Sequence, residues 1–204
     1  DGSVVTWGSD YAGGSISDSA QDLLSAGNVK TIFSGNYAFA AFMEDGSVVA
    51  WGSEYSGGSI SDSAQLLLSA GEVKTIFPND NAFAALMEDG SVVTWGSDYA
   101  GGSISDSAQL LLSAGEVKTI FSTKTAFAAL MEDGSVVTWQ GLNDYGGSSF
   151  ISDSLQELLS AGKAKTIFST DNAFAALMED GSVVEWGEGG SMSSSTQLLL
   201  SAGR

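Results

Sequence analysis

The stretch "AFAALMEDGSVVTWG", Ala82 to Gly96, decides how the rest of the chain is read. Near copies run from Ala38 to Gly52, Ala126 to Trp139 and Ala173 to Gly187, and a shortened copy opens the chain at Asp1. The core of the repeat, Asp-Gly-Ser-Val-Val, begins at Asp1, Asp45, Asp89, Asp133 and Asp180. The first three intervals are 44 residues and the last is 47. Repeats of this length point to propeller blades or stacked solenoid units.

The inside of one unit separates the two. "EVKTIF" (Glu72 to Phe77) alternates and carries β-branched residues, so it predicts a first strand. "PNDN" (Pro78 to Asn81) is a turn cluster. "AFAALM" (Ala82 to Met87) is apolar between turns and predicts a second strand. "EDGS" (Glu88 to Ser91) holds the Asp-Gly pair of a tight hairpin, and "VVTW" (Val92 to Trp95) is the third strand. Strand three then occurs five times, from Val4, Val48, Val92, Val136 and Val183. The Gly/Ser/Asp loop Gly96 to Ser107 follows, and "SDSAQLLLSAG" (Ser105 to Gly115) predicts a short helix. Ser105 or Asp106 would cap its start, and Gly115 would end it in a left-handed conformation. A strand at "QLLL" is the alternative. Leu110, Leu111 and Leu112 are too many for one narrow stripe, so some are expected to face neighbouring repeats.

A three-stranded meander with a connecting loop and helix suits a propeller blade. An α-solenoid needs two helices per unit, and horseshoe solenoids have shorter units. The expected fold is mainly β: a propeller-like array of four full blades with partial end units. The whole chain, residues 1–204, reads as one repeat domain.

Composition narrows the chemistry. The net charge is −18, from 25 acidic and 7 basic residues, which disfavours nucleic acid and anionic membrane surfaces as partners. No His and no Cys occur, so imidazole acid/base work, thiolate metal sites and Cys nucleophiles are excluded. No apolar run reaches the length of a membrane-spanning helix. No catalytic or phosphate-binding motif stands in a credible setting.

Trp7, Trp51, Trp95, Trp139 and Trp186 occupy the same place in each unit and are expected to pack between blades. A stacking platform for a sugar ring is the alternative. Phe33, Phe77, Phe121 and Phe168 end strand one, and Phe39, Phe83, Phe127 and Phe174 begin strand two; all are expected in the core. Ala84 and Ala85 are expected where strands crowd a propeller's axis. The acid pairs Glu44/Asp45, Glu88/Asp89, Glu132/Asp133 and Glu179/Asp180 read as turn chemistry, since identical pairs in identical turns do not make one active site.

The loop residues Asp10, Tyr11, Glu54, Tyr55, Asp98, Tyr99, Asp144 and Tyr145 are the candidate binding positions. Tyr among Gly, Ser and Asp is the composition of adaptable contact surfaces. A solvated connector whose Tyr covers the helix is the other reading. Calcium is the one metal these oxygen-rich loops could hold, but the spacing of a calcium loop is absent. No cofactor is expected.

"KTIFSTDNAFAALMEDGSVVEWG" (Lys165 to Gly187) resembles the regulator-of-chromosome-condensation repeat, in a divergent bacterial or algal form. The apolar strand, the "EDG" hairpin and the "WG" ending match, over essentially the whole chain. The Gly-x-x-His element is replaced by "STDNA", "PNDNA" or "STKTA", and the Tyr-Gly-Gln-Leu-Gly ending by "YAGGSISDS". The resemblance implies a propeller, usually of seven blades, and a protein-binding platform. None of the family's activities carries over, because no functional motif matches.

The register adds a further expectation. The chain opens at a hairpin turn and closes at "QLLLSAGR", so strands one and two occur only four times. A window on a longer repeat protein is the favoured explanation; strands completed by other chains, or a small closed ring, are the alternatives. The expected function is therefore a non-enzymatic scaffold for protein partners or self-association, acting through its loop face and open ends. A lectin-like binder is the alternative. An enzyme using Asp144, Asp153 and Glu157 is a distant third. An extracellular or cell-surface setting is favoured over others.

Overall fold

A computed structural model describes residues 3–140, 153–161 and 163–187. It holds four three-stranded antiparallel sheets, each a consecutive meander. Blade 1 is β1 (Val29–Ser34), β2 (Ala38–Met43) and β3 (Val48–Gly52). Blade 2 is β4 (Val73–Pro78), β5 (Ala82–Met87) and β6 (Val92–Gly96). Blade 3 is β7 (Val117–Ser122), β8 (Ala126–Met131) and β9 (Val136–Gln140), and blade 4 is β10 (Ala164–Ser169), β11 (Ala173–Met178) and β12 (Val183–Gly187). Each blade is preceded by a short helix: α1 (Asp18–Ala26), α2 (Asp62–Ala70), α3 (Asp106–Leu112) and α4 (Asp153–Ser160). The expected mainly-β array of propeller-like blades is what forms.

Local chemistry sets these elements. The Glu-Asp-Gly-Ser hairpin places Gly90 at φ +81, and the Gly90 N–H donates to the Met87 carbonyl. A residue with a Cβ is strained there. The Asp89 carboxylate closes the turn by accepting from the Ser91 N–H and hydroxyl. Each first strand has a bulge at its Lys, as between Val73 and Thr75, which turns Lys74 out to solvent. Helices α1, α2 and α3 are capped by Ser17, Ser61 and Ser105, whose hydroxyls accept from the N–H three residues on.

The core lies between blades rather than within them. Ala82, Ala84, Leu86 and Val92 of blade 2 meet Val117, Ile120, Phe127 and Trp139 of blade 3, with Ala108 and Leu112 of α3 closing the edge. The same construction joins blades 1 and 2 over α2, and blades 3 and 4 over Leu159 of α4. Alternate alanines of a middle strand face opposite neighbours: Ala84 packs toward blade 3 and Ala85 toward blade 1. Small side chains there let sheets approach closely on both faces.

Several expectations change. The copy of strand three at Val4 forms no strand and pairs with no second strand among the described residues, and Trp7 is 85% exposed. The alanine-bearing strand is the middle one, and the first strands β1, β4, β7 and β10 lie against one another in succession. The helix expected over "QLLL" does form in α2 and α3, and the alternative strand does not. Only Leu112 of its trio is buried in α3; Leu110 is 73% exposed, because a helix resting on one edge of a core buries a single stripe. No left-handed glycine ends these helices. Gly27 and Gly71 are extended and lead straight into a strand, and α3 ends at Ser113 in a right-handed conformation. Phe168 is exposed rather than core, and Phe33, Phe77 and Phe121 are half-buried.

Candidate interaction surfaces

The loop between blade and helix is held from both sides. Ser53 to Gly58 fold into a one-turn 3-10 helix (Glu54–Ser56), in which the Ser56 and Gly58 N–H groups donate to the Ser53 carbonyl. Gly57 closes it at φ +89. A Cβ on Gly57 would stand 2.7 Å from the Phe83 ring, and one on Gly58 would stand 2.4 Å from the Gly52 carbonyl group. Both glycines are therefore needed where the sequence writes Gly-Gly. Beneath them, Phe83 stacks on Trp95 with ring centroids 5.3 Å apart. The Trp95 Nε1 donates to the Gly57 carbonyl at 3.2 Å, and Trp139 does the same to Gly101. Trp51 Nε1 and Trp186 Nε1 find no such partner among the described residues.

All four of these tryptophans are buried, and Trp95 and Trp139 clamp the loop that precedes their own blade. These four rings offer no open face for a sugar to stack on, since each lies against Phe39, Phe83, Phe127 or Phe174 and is 2–4% exposed.

The tyrosines point the other way. Tyr11, Tyr55 and Tyr99 are 85%, 80% and 58% exposed. None of the three rings is buried against a helix. In the first and third loops the acid braces the turn: Asp10 accepts from the Ser15 hydroxyl, and Asp98 from the Ser103 hydroxyl. Between the second and third loops runs a groove of about 440 Å³. Glu54, Tyr55 and Asp98 line it, with Ser59, Ser103 and the edge of Trp95. Three candidate positions from two different repeats are thus brought together. Asp10 and Tyr11 sit one loop earlier, outside this groove, and Tyr99 does not line it. Asp144 and Tyr145 lie outside the described residues.

The hairpin acids form no site. Asp45, Asp89 and Asp133 sit one per blade, each occupied by its own turn serine. The hydroxyl and N–H of Ser47, Ser91 and Ser135 hold these carboxyls below the ordinary aspartate value of 3.8. A lowered carboxyl is a poor proton donor or acceptor at neutral pH. Of the third group, Glu157 is exposed on α4, while Asp144 and the Asp153 side chain lie outside the described residues. Among the described residues, no group of three or more acidic side chains gathers to hold a metal ion.

One surface was not anticipated. The turns between first and second strands meet around a cavity of about 460 Å³, lined by Asn36, Asp80, Lys124 and Asp171 with neighbouring Ser and Thr. Their backbones form a staircase. Asn36 N–H donates to the Asp80 carbonyl (3.0 Å), Asp80 to Lys124 (3.3 Å), and Lys124 to Asp171 (2.9 Å). The last three turns are each braced by one polar side chain, whereas the first has Gly35 at that place. Asn79 Oδ1 accepts from the Asn81 and Ala82 N–H groups, and Thr123 and Thr170 do the same with a hydroxyl. Lys124 Nζ reaches Asp171 at 2.7 Å, and that hydrogen bond raises the Lys124 pKa. Both side chains are largely exposed, so the pair adds little stability. The signal in the sequence was a hydrogen-bonding residue three positions before three of the four Ala-Phe pairs, Asn79, Thr123 and Thr170, with Gly35 in the first.

No family model and no curated protein sequence matches the chain. Solved structures do. The chain is similar to yeast RCC1 (Prp20), as seen bound to Kap60, at 19% identity and TM-score 0.53, over 78% of this chain and 43% of that one. It is similar to the ectodomain of the Physcomitrella patens receptor kinase CR4 at 14% identity and TM-score 0.51, over 79% and 39%. It is similar to human WBSCR16 at 20% identity and TM-score 0.50, over 87% and 50%. The chain thus spans half or less of the length of each. At these identities the likeness establishes the fold alone, and that fold is a propeller-type array of repeats.

Proposed function

We propose that the chain is a non-enzymatic interaction scaffold that meets a protein partner through its tyrosine-bearing loop face, with its end blades as a second contact surface. One observation carries the reading: Tyr55 is 80% exposed on a turn that Trp95 pins through the Gly57 carbonyl. An exposed aromatic on a rigid turn loses little entropy on binding, which is the property of an interface anchor. Tyr99 repeats it on the turn that Trp139 pins through Gly101, and Tyr11 is likewise exposed on the loop before. Glu54 and Asp98 beside Tyr55, and the net charge of −18, favour a basic partner. Yeast RCC1 (Prp20), of the same fold, is seen bound to Kap60, which is the class of role assigned here.

The test is capture of binding proteins by the parent chain and by the triple variant Tyr11→Ala, Tyr55→Ala, Tyr99→Ala. The variant is expected to keep the parent's melting temperature and lose the captured protein. Equal capture by both would remove the loop face from the reading. A carbohydrate ligand is the second reading, favoured by the Tyr55 groove with its carboxylates and serine hydroxyls. A glycan array on which the parent binds and Tyr55→Ala does not would establish it instead.

A further inference from the structure

The three internal interfaces use one complementary pair of surfaces, and the two outer blades each leave part of one half exposed; on blade 1 the remainder packs with Val4, Ile16 and helix α1. On each first strand, an Ile faces the preceding blade and the Phe beside it faces the following one. Phe33 packs into the core that holds Ile76, Phe77 into the core of Ile120, and Phe121 into the core of Ile167. Those three isoleucines are 2–3% exposed. Ile32 of blade 1 has no preceding Phe and is 43% exposed, and Phe168 of blade 4 has no following Ile and is 61% exposed. The rest of the blade 4 face agrees. Ala173, Ala175, Leu177 and Val183 are half-buried where Ala82, Ala84, Leu86 and Val92 are buried.

The backbone staircase ends in the same two places. Continued by one step, the Asp171 N–H would donate to the Asn36 carbonyl. Neither group has a partner among the described residues.

We infer that the blade 4 face of one copy docks on the blade 1 face of a second copy, placing Phe168 against the partner copy's isoleucine at position 32. The occupant is a second copy because the interface would continue one the chain already makes three times, with the same residues in the same register. Such a contact is head-to-tail, so it builds rings or open stacks rather than isologous dimers. This rests on the scaffold reading for the end blades only and leaves the loop face free. The net charge of −18 opposes it, so added salt should strengthen it by screening.

Sedimentation velocity over a concentration series tests this on the full chain, beside Ile32→Asp and Phe168→Asp. The parent should self-associate, more strongly at higher salt. Each variant should weaken association by about a hundredfold or more, since it would bury an unpaired charge. Both variants change exposed residues, so their melting temperatures should stay at the parent's. Mixed together, they should form a 1:1 dimer and nothing larger, because each retains one intact face; a misfolded variant could not do so. A parent that stays monomeric at every concentration and salt would overturn the inference. So would variants that associate like the parent, or mixed variants that stay apart. An Ile32→Cys, Phe168→Cys double variant that oxidises only within one chain would overturn it in favour of a self-closed ring. The tyrosine triple variant should associate like the parent, so failure here leaves the loop-face reading standing.

Discussion

Asp1 to Gln21 and Asp89 to Gln109 are the same twenty-one residues. In the second copy, Val92–Gly96 is a strand and Trp95 is 2% exposed; in the first, no strand forms and Trp7 is 85% exposed. Yet both copies make the 3-10 turn, at Asp10–Ala12 and Asp98–Ala100, and both start a helix eight residues later, at Asp18 and Asp106. The split falls within one sequence, so intrinsic propensity does not cause it. The strand's partner lies upstream, in β5, and among the described residues Val4 to Trp7 have no such partner. The loop and helix have their partner downstream: Gly13 rests on Phe39, and Leu24 packs with Trp51. The structural unit therefore begins at the loop and ends at the Trp-Gly of the following blade.

The largest expected effect breaks the two copies apart. Trp95→Ala should cost about 3–5 kcal/mol, because it removes a buried ring, its Phe83 stack and the clamp on Gly57. Trp7→Ala should stay within about 0.5 kcal/mol, as exposed substitutions do. Denaturant titration of both variants measures the contrast. Equal losses would mean that Trp7 is packed after all.

A smaller effect should unite them. A Cβ on Gly102 would meet the Gly96 carbonyl oxygen at 2.5 Å, and one on Gly14 would meet that of Gly8 at 2.5 Å. Gly102→Ala and Gly14→Ala should each cost about 1–3 kcal/mol, the usual penalty for forcing a methyl group against atoms that cannot give way. The losses should match, since the turn forms in both copies. A harmless Gly14→Ala would show that the first loop is not held as the third is.

Much of this was legible in the sequence, for local reasons. The Asp-Gly hairpins, the serine caps and the meander depend on residues within a few positions of one another. What could not be read needs a neighbour's identity. Nothing in "VVTW" says whether a second strand precedes it. Nothing in Phe168 separates it from Phe77, yet one is exposed and the other half-buried. The tyrosine loops were legible by composition, but the meeting of the second and third loops at one groove needed the inter-blade geometry that puts Glu54 and Tyr55 opposite Asp98. The axial turns were missed because Asn79 and Thr123 look like any turn residues until their side chains are seen bracing the staircase.

The smallest expected effect separates what is local from what is shared between blades. The carboxyls of Asp45, Asp89 and Asp133 lie below 3.8 in outer and inner blades alike, because the donors are the serine hydroxyl and N–H of the same turn. A carboxyl lowered on folding contributes stability that is fully present above its unfolded value and is lost as pH falls through its folded value. These turns should therefore hold their contribution above 3.8 and give it up only in more acid solution. The loss should be small, since the groups are exposed and water screens them. Ser91→Ala removes the largest cause of the Asp89 shift, so it should move that carboxyl back toward its ordinary value and leave Asp45 and Asp133 in place. Carboxyl-detected NMR titration reads all three at once. If the substitution moved the Asp45 or Asp133 carboxyl as well, the turns would be coupled through the blades, and the division drawn between the two copies of the twenty-one residues would not hold for the hairpins.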